Sequence, residues 1–112
     1  MLDVKNIDGI FVAKFIDANR FNSVISQSVK DELNEILSAQ NVKLLLDLEG
    51  IKFVDSSAFG ALISILKTSK ETNSTFKICN ATPDVMELIS VMQLDTVFEI
   101  HTTFEECIAS FG

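Results

Sequence analysis

Among the residues that could do chemistry, Asp55-Ser56-Ser57-Ala58-Phe59-Gly60 stands out by position. It follows an apolar, strand-like run and opens a helix. It therefore falls at the carboxyl end of a parallel strand, where open α/β sheets commonly place their sites. The first turn of a helix carries unpaired amides and a partial positive charge. A phosphate on a serine there is tolerated, because the amides bind its oxygens and the dipole favours its charge. The presented surface still gains bulk and about −1.5 to −2 units of charge. A docked partner is then rejected while the fold survives. The same Asp-Ser-Ser pattern also reads as an ordinary N-cap, and spacing alone favours that simpler reading.

Other chemistries are poorly supplied. His101 is the one histidine, and no Gly-x-Ser-x-Gly elbow accompanies any serine. It reads as a partly exposed residue beside a helix cap. Asp47, Glu49 and Asp55 cluster near one strand end and could hold Mg²⁺, but no further ligand pattern supports a metal, and none is expected. No Gly-rich phosphate loop occurs and no cofactor is expected. Cys79 and Cys107 lie among apolar residues without metal-type spacing. They read as buried small hydrophobes in a reducing compartment, not as a disulfide framework.

The elements that must position these residues follow from periodicity. Residues 2–7 and 10–16 form a hairpin across Asp8-Gly9. Asn22-Ser23 offers cap chemistry to a helix carrying Ile25, Val29, Leu33, Ile36 and Leu37. Residues 42–48 are a short apolar run, as in a strand buried on both faces. Ile51 and Phe53 extend that apolar pattern past Gly50. Phe59, Leu62, Ile63 and Leu66 form the stripe of the next helix. Residues 75–79 alternate, placing Phe76 and Ile78 on one face. Thr82-Pro83 starts a helix with Val85, Leu88, Ile89 and Met92. Residues 96–100 are a last strand. Thr102 and Glu105 then propose a capping box for a terminal amphipathic helix bearing Phe104, Cys107, Ile108 and Phe111. The order is β-β-α-β-α-β-α-β-α. It implies an α/β fold: a mixed, mostly parallel sheet of four to five strands with about four helices, in one domain over residues 1–112.

Composition agrees with a self-sufficient core. Of 112 residues, 47% are apolar, with four glycines and one proline. The net charge of −7 argues against nucleic acid and against anionic membranes as partners. Met1-Leu2-Asp3-Val4-Lys5 does not begin a signal peptide, and no apolar run approaches ~20 residues. The expected location is the cytoplasm and the expected state a monomer.

The stretch Leu44-Leu45-Leu46-Asp47-Leu48-Glu49-Gly50-Ile51-Lys52-Phe53-Val54-Asp55-Ser56-Ser57-Ala58-Phe59-Gly60 resembles the strand, spacer and switch helix of the stand-alone STAS domains that act as anti-sigma factor antagonists. Asn80-Ala81-Thr82-Pro83, before an apolar helix, resembles that family's later segment. The resemblance implies the STAS fold over nearly the whole chain. It implies Ser56 as phosphate acceptor, with Asn22, Asp55, Ser57, Ala58 and Phe59 at the partner contact. It implies a GHKL-type anti-sigma kinase as partner, a PP2C-type phosphatase as the resetting enzyme, and no catalysis by the chain itself. A constitutive STAS scaffold subunit in a transport or signalling complex, without phosphorylation, is the alternative. Two positions depart from the family pattern. Ala58-Phe59 stands where Gly-Leu is usual, and Asn19-Arg20-Phe21-Asn22 where Gly-x-Leu-Asp is usual. Phe59 also fits the buried stripe of its own helix, so both readings stand for it.

Overall fold

The computed structural model describes residues Met1–Gly112. Strands β1 (Leu2–Ile7) and β2 (Ile10–Phe15) form the expected antiparallel hairpin. Its two-residue turn puts Asp8 at φ 51° and Gly9 at φ 86°, the left-handed values that a twisted hairpin needs. Parallel strands β4 (Lys43–Asp47), β6 (Thr75–Cys79) and β7 (Glu99–His101) continue the sheet, in the order β1-β2-β4-β6-β7. Helices α1 (Ser26–Leu37), α2 (Ser56–Glu71) and α3 (Pro83–Val91) link the parallel strands, and α4 (Phe104–Ser110) ends the chain.

Side-chain parity explains the layers. Ala13, Leu44, Leu46, Phe76 and Ile78 point to one face, into a core shared with Val29 and Leu33 of α1, Leu62 and Ile65 of α2, and Val85 and Ile89 of α3. Val12, Leu45 and Cys79 point to the other face, where Cys107 of α4 meets them. Leu44, Leu45 and Leu46 are thus all fully buried, because β4 is covered on both sides. Each such leucine contributes about 1.5–3 kcal/mol by leaving water. The uninterrupted apolar run in the sequence has this cause.

Nine elements follow the expected order, and two more strands join them. β3 (Arg20–Phe21) and β5 (Phe53–Val54) pair in parallel as a separate small sheet. Two residues are too few for a period-2 pattern, so nothing in the sequence marks them. Lys52 N–H donates to the Asn19 carbonyl at 2.8 Å and Asp55 N–H to the Phe21 carbonyl at 3.2 Å, which extends the stitch at both ends.

Several expectations shift. Asn22-Ser23 does not cap α1 directly. Asn22 Oδ1 accepts from Val24 N–H at 3.1 Å, an Asx turn, and the helix begins only at Ser26. In α2 the buried stripe runs through Ala58, Ala61, Leu62, Ile65 and Ser69; Ile63, one position off that line, is 45% exposed. Likewise Leu88 and Met92 of the α3 region are 37% and 45% exposed, while Val85 and Ile89 are buried. The last strand is Glu99–His101 rather than residues 96–100, because residues 95–97 turn first. The α4 capping box is Thr103 with Glu106, one residue later than Thr102 with Glu105: Thr103 Oγ1 accepts from Glu106 N–H and donates to Glu106 Oε1, both at 3.1 Å. Thr82-Pro83 starts α3 as expected, with Thr82 Oγ1 accepting from Val85 N–H at 3.2 Å.

Candidate functional site

The segment after β5 turns into α2 with Asp55 as the N-cap, in extended backbone, and Ser56 as the first helical residue. Ser56 is exposed and Ser57 half-buried. Asp55 Oδ1 accepts from Ala58 N–H at 3.0 Å, which meets one of the amides that a helix start leaves unpaired. Its other oxygen, Oδ2, accepts from Ser23 N–H at 3.0 Å. One carboxylate therefore joins the start of α2 to the turn before α1, across 32 positions of chain. Asn22 tightens that turn through Val24, so Asn22, Asp55, Ser56 and Ser57 share one locality.

Ala58 and Phe59 do not present their side chains there. Ala58 is fully buried and Phe59 is 3% exposed, both in the main core. Of the two readings open for Phe59, core packing is the one the fold uses. The expectation that these two side chains meet a partner is corrected for this reason: they hold α2 against the sheet and to that end face inward.

His101 stays apart from this locality. It lines a cavity with Ala81, Pro83, Met86, Ile100 and Thr102, and its Nε2 lies 2.6 Å from Glu99 Oε2. That hydrogen bond, followed by partial burial opposing it and then by Lys77, leaves the Glu99 carboxyl below its usual range. The acidic trio does not converge either. Asp47 is almost wholly buried and accepts from Glu49 N–H at 2.9 Å and Asn80 Nδ2 at 3.0 Å, with Lys14 Nζ at 3.9 Å. Asp55 is spent on backbone amides, and no three His, Cys, Asp or Glu side chains are grouped to hold a metal.

The family model of the STAS domain matches residues 2–107. The chain belongs to the STAS domain family. A candidate anti-sigma factor antagonist of Thermotoga neapolitana is 27% identical over 67% of this chain, and the match spans 66% of that relative, just under two thirds. An anti-sigma-factor antagonist (STAS) domain protein from Planctomyces limnophilus superposes with a TM-score of 0.89 at 25% identity, covering 99% of this chain and 98% of its own. The anti-sigma factor antagonist SpoIIAA, solved in its unphosphorylated form, shares the fold with a TM-score of 0.73 at 12% identity, covering 98% and 96%. No helix of this STAS domain is long and apolar enough to cross a membrane.

Two exposed apolar side chains in this STAS domain escaped sequence reasoning. Val24 is 83% exposed in the turn tied to Asp55, and Phe53 is 45% exposed in β5, with the Arg20 guanidinium 5.7 Å from its ring centre. Ile51 and Phe53 both extend the apolar pattern past Gly50, but only Ile51 is buried. Gly50, at φ 87°, turns the chain just before this pair and so breaks the continuity of the β4 pattern into it. On the other side of Ser57, a groove of about 230 Å³ runs between α1 and α2, lined by Ser26, Gln27, Lys30, Gly60 and Ser64 among others.

The Asp55 carboxyl lies below its ordinary value of 3.8. The Ala58 amide is the main cause; partial burial opposes it, and the Ser23 amide and Ser57 hydroxyl add to it. A depressed folded-state pKa stabilises the fold above the unfolded value, and this contribution is lost as pH falls through the folded value. Asp55→Ala is therefore expected to lower the urea midpoint at neutral pH, with the gap to the parent narrowing steadily below about pH 4. A gap independent of pH between 7 and 2.5 contradicts the assignment of the ionised carboxylate as the cap.

Proposed function

We propose that this STAS domain is an anti-sigma factor antagonist that works by partner switching in the cytoplasm. Unphosphorylated, it binds a GHKL-type anti-sigma kinase and so frees a sigma factor. The kinase transfers the γ-phosphoryl group of ATP to Ser56 Oγ, and the complex separates. A PP2C-type phosphatase then resets the chain. Ser56 supplies the hydroxyl, and the STAS domain supplies no catalytic group.

The observation that carries this reading is an exposed serine at the first position of α2, directly after a cap that holds the helix start in place. The functional names of the relatives support it. The helix dipole offsets part of the added charge, but Asp55 already occupies the Ala58 amide. Phosphate and carboxylate then crowd one helix start, so the modified surface differs sharply in charge from the unmodified one. Asn22, Asp55 and Ser57 frame the contact, with Val24 and Phe53 as its apolar margin.

The test is incubation with ATP and the anti-sigma kinase, read by intact mass and peptide mapping. One phosphate per chain on Ser56 is expected, retained in Ser57→Ala and absent in Ser56→Ala. Equal labelling of Ser56→Ala and the parent would overturn the assignment. No labelling at all, together with recovery of transporter components in a pull-down, would favour a constitutive scaffold instead.

A further inference from the structure

The sheet face turned away from α1, α2 and α3 carries a second, smaller core, and α4 is the helix that covers it. Ile10, Val12, Leu45, Cys79 and Cys107 form it. Both cysteines are free and fully buried. The sequence separates them by an entire helix and strand, but the fold closes that gap. Cys79 ends β6, Cys107 sits midway along α4, and the two side chains pack into the same five-residue buried cluster. Cys107 Sγ also lies 3.9 Å from the carbonyl oxygen of Ile78, the neighbour of Cys79. The proposed partner switch makes no use of either thiol.

We propose that Cys79 and Cys107 form an oxidative modification site, which a peroxide converts into an intramolecular disulfide that pins α4 to the sheet.

The surroundings distinguish the two sulfurs. The adjacent Cys79 thiol favours the Cys107 thiolate; burial and the Glu99 and Asp47 charges oppose it and the Lys77 charge adds to it, so the Cys107 thiol lies below the usual range. The Cys107 neighbour and burial push Cys79 up. Lys77 is held there: its Nζ donates to Ser110 O and Ser110 Oγ at 2.9 Å each and lies 4.7 Å from the Phe111 ring centre. The Cys107 thiolate attacks the peroxide O–O bond, becomes a sulfenic acid and releases hydroxide, which takes up the proton lost by the thiol and leaves as water. Cys79 sulfur then attacks the sulfenic sulfur. The S–S bond forms, the S–OH bond breaks, and the departing hydroxide leaves as a second water with the Cys79 proton. Two thiols lose two electrons, and one hydrogen peroxide becomes two waters. The oxidant enters when α4 lifts. That helix has only seven residues, and short elements with few contacts are the ones that open at low cost.

The test treats the reduced full-length chain with hydrogen peroxide, then denatures, alkylates and weighs it. Expected are a monomeric chain with both thiols consumed and no oxygen retained, a Cys79–Cys107 cross-linked peptide, and full reversal by a thiol reductant. Amide exchange across α4 slows by about tenfold or more in the oxidised chain. In Cys79→Ser and Cys107→Ser, each checked for native circular dichroism, the same treatment leaves α4 exchange unslowed. Oxygen retained on either cysteine of the parent, disulfide-linked dimers, or two intact thiols after prolonged exposure would each overturn the proposal.

Discussion

Ser56→Asp is expected to weaken binding to the anti-sigma kinase by about a hundredfold, close to 2.7 kcal/mol, while leaving the fold intact. The two effects separate because they draw on different surroundings. α2 has no acidic residue in its first turn, so a carboxylate there meets a favourable dipole and only the neighbouring Asp55 as a like charge. Stability should therefore stay within about 0.5 kcal/mol of the parent. At the proposed interface, a fixed negative charge would have to be buried against a surface that otherwise meets a neutral hydroxyl. Calorimetric titration of the kinase with the parent, Ser56→Asp and Ser56→Ala measures this directly. Ser56→Ala should bind nearly as the parent does, since it adds no charge. Parent-like affinity in Ser56→Asp would sink the switch, whatever the labelling experiment shows.

Phe21→Ala is expected to cost about 3–5 kcal/mol of stability, a large share of the 5–15 kcal/mol typical of a domain. Phe21 is fully buried, with its ring 5.2 Å from that of Phe15 and tilted 50° to it. Truncation leaves a cavity between the hairpin and the small β3–β5 sheet, and rigid strands on both sides limit its collapse. The same residue supports the site, because its carbonyl accepts Asp55 N–H and its strand delivers Asn22 and Ser23. Urea unfolding should show the loss in midpoint with an unchanged slope. Native-state hydrogen exchange should show the Ser23 and Asp55 amides opening faster than those of β4. A stability loss below about 1 kcal/mol would show that the site collapses freely and that Phe21 does not brace it.

The local chemistry of the site was legible before the fold was known. Asp55 announced itself as a cap because an aspartate before an amphipathic run offers an acceptor at the right offset, and its oxygen does take the Ala58 amide. Asp8-Gly9 and Thr82-Pro83 worked for the same reason: each acts within a span of four residues. Phe59 was ambiguous because a helical stripe gives an angle and not a partner, and two readings fit the same angle. The α4 cap slipped by one residue because Thr102-Thr103 and Glu105-Glu106 supply two adjacent capping boxes. Only the backbone path out of β7 chooses between them.

The amino-acid sequence by itself determined the order of nine elements, the double-sided burial of Leu44, Leu45 and Leu46, and a serine at the head of α2. These rest on periodicity and capping, which act between near neighbours. Tertiary structure alone decided that Ser23 would donate to Asp55, that Val24 and Phe53 would stand out beside Ser56, and that Cys79 would meet Cys107. Those contacts join residues about thirty positions apart, and the close packing of the sheet with its helices, not any local preference, brings such residues together.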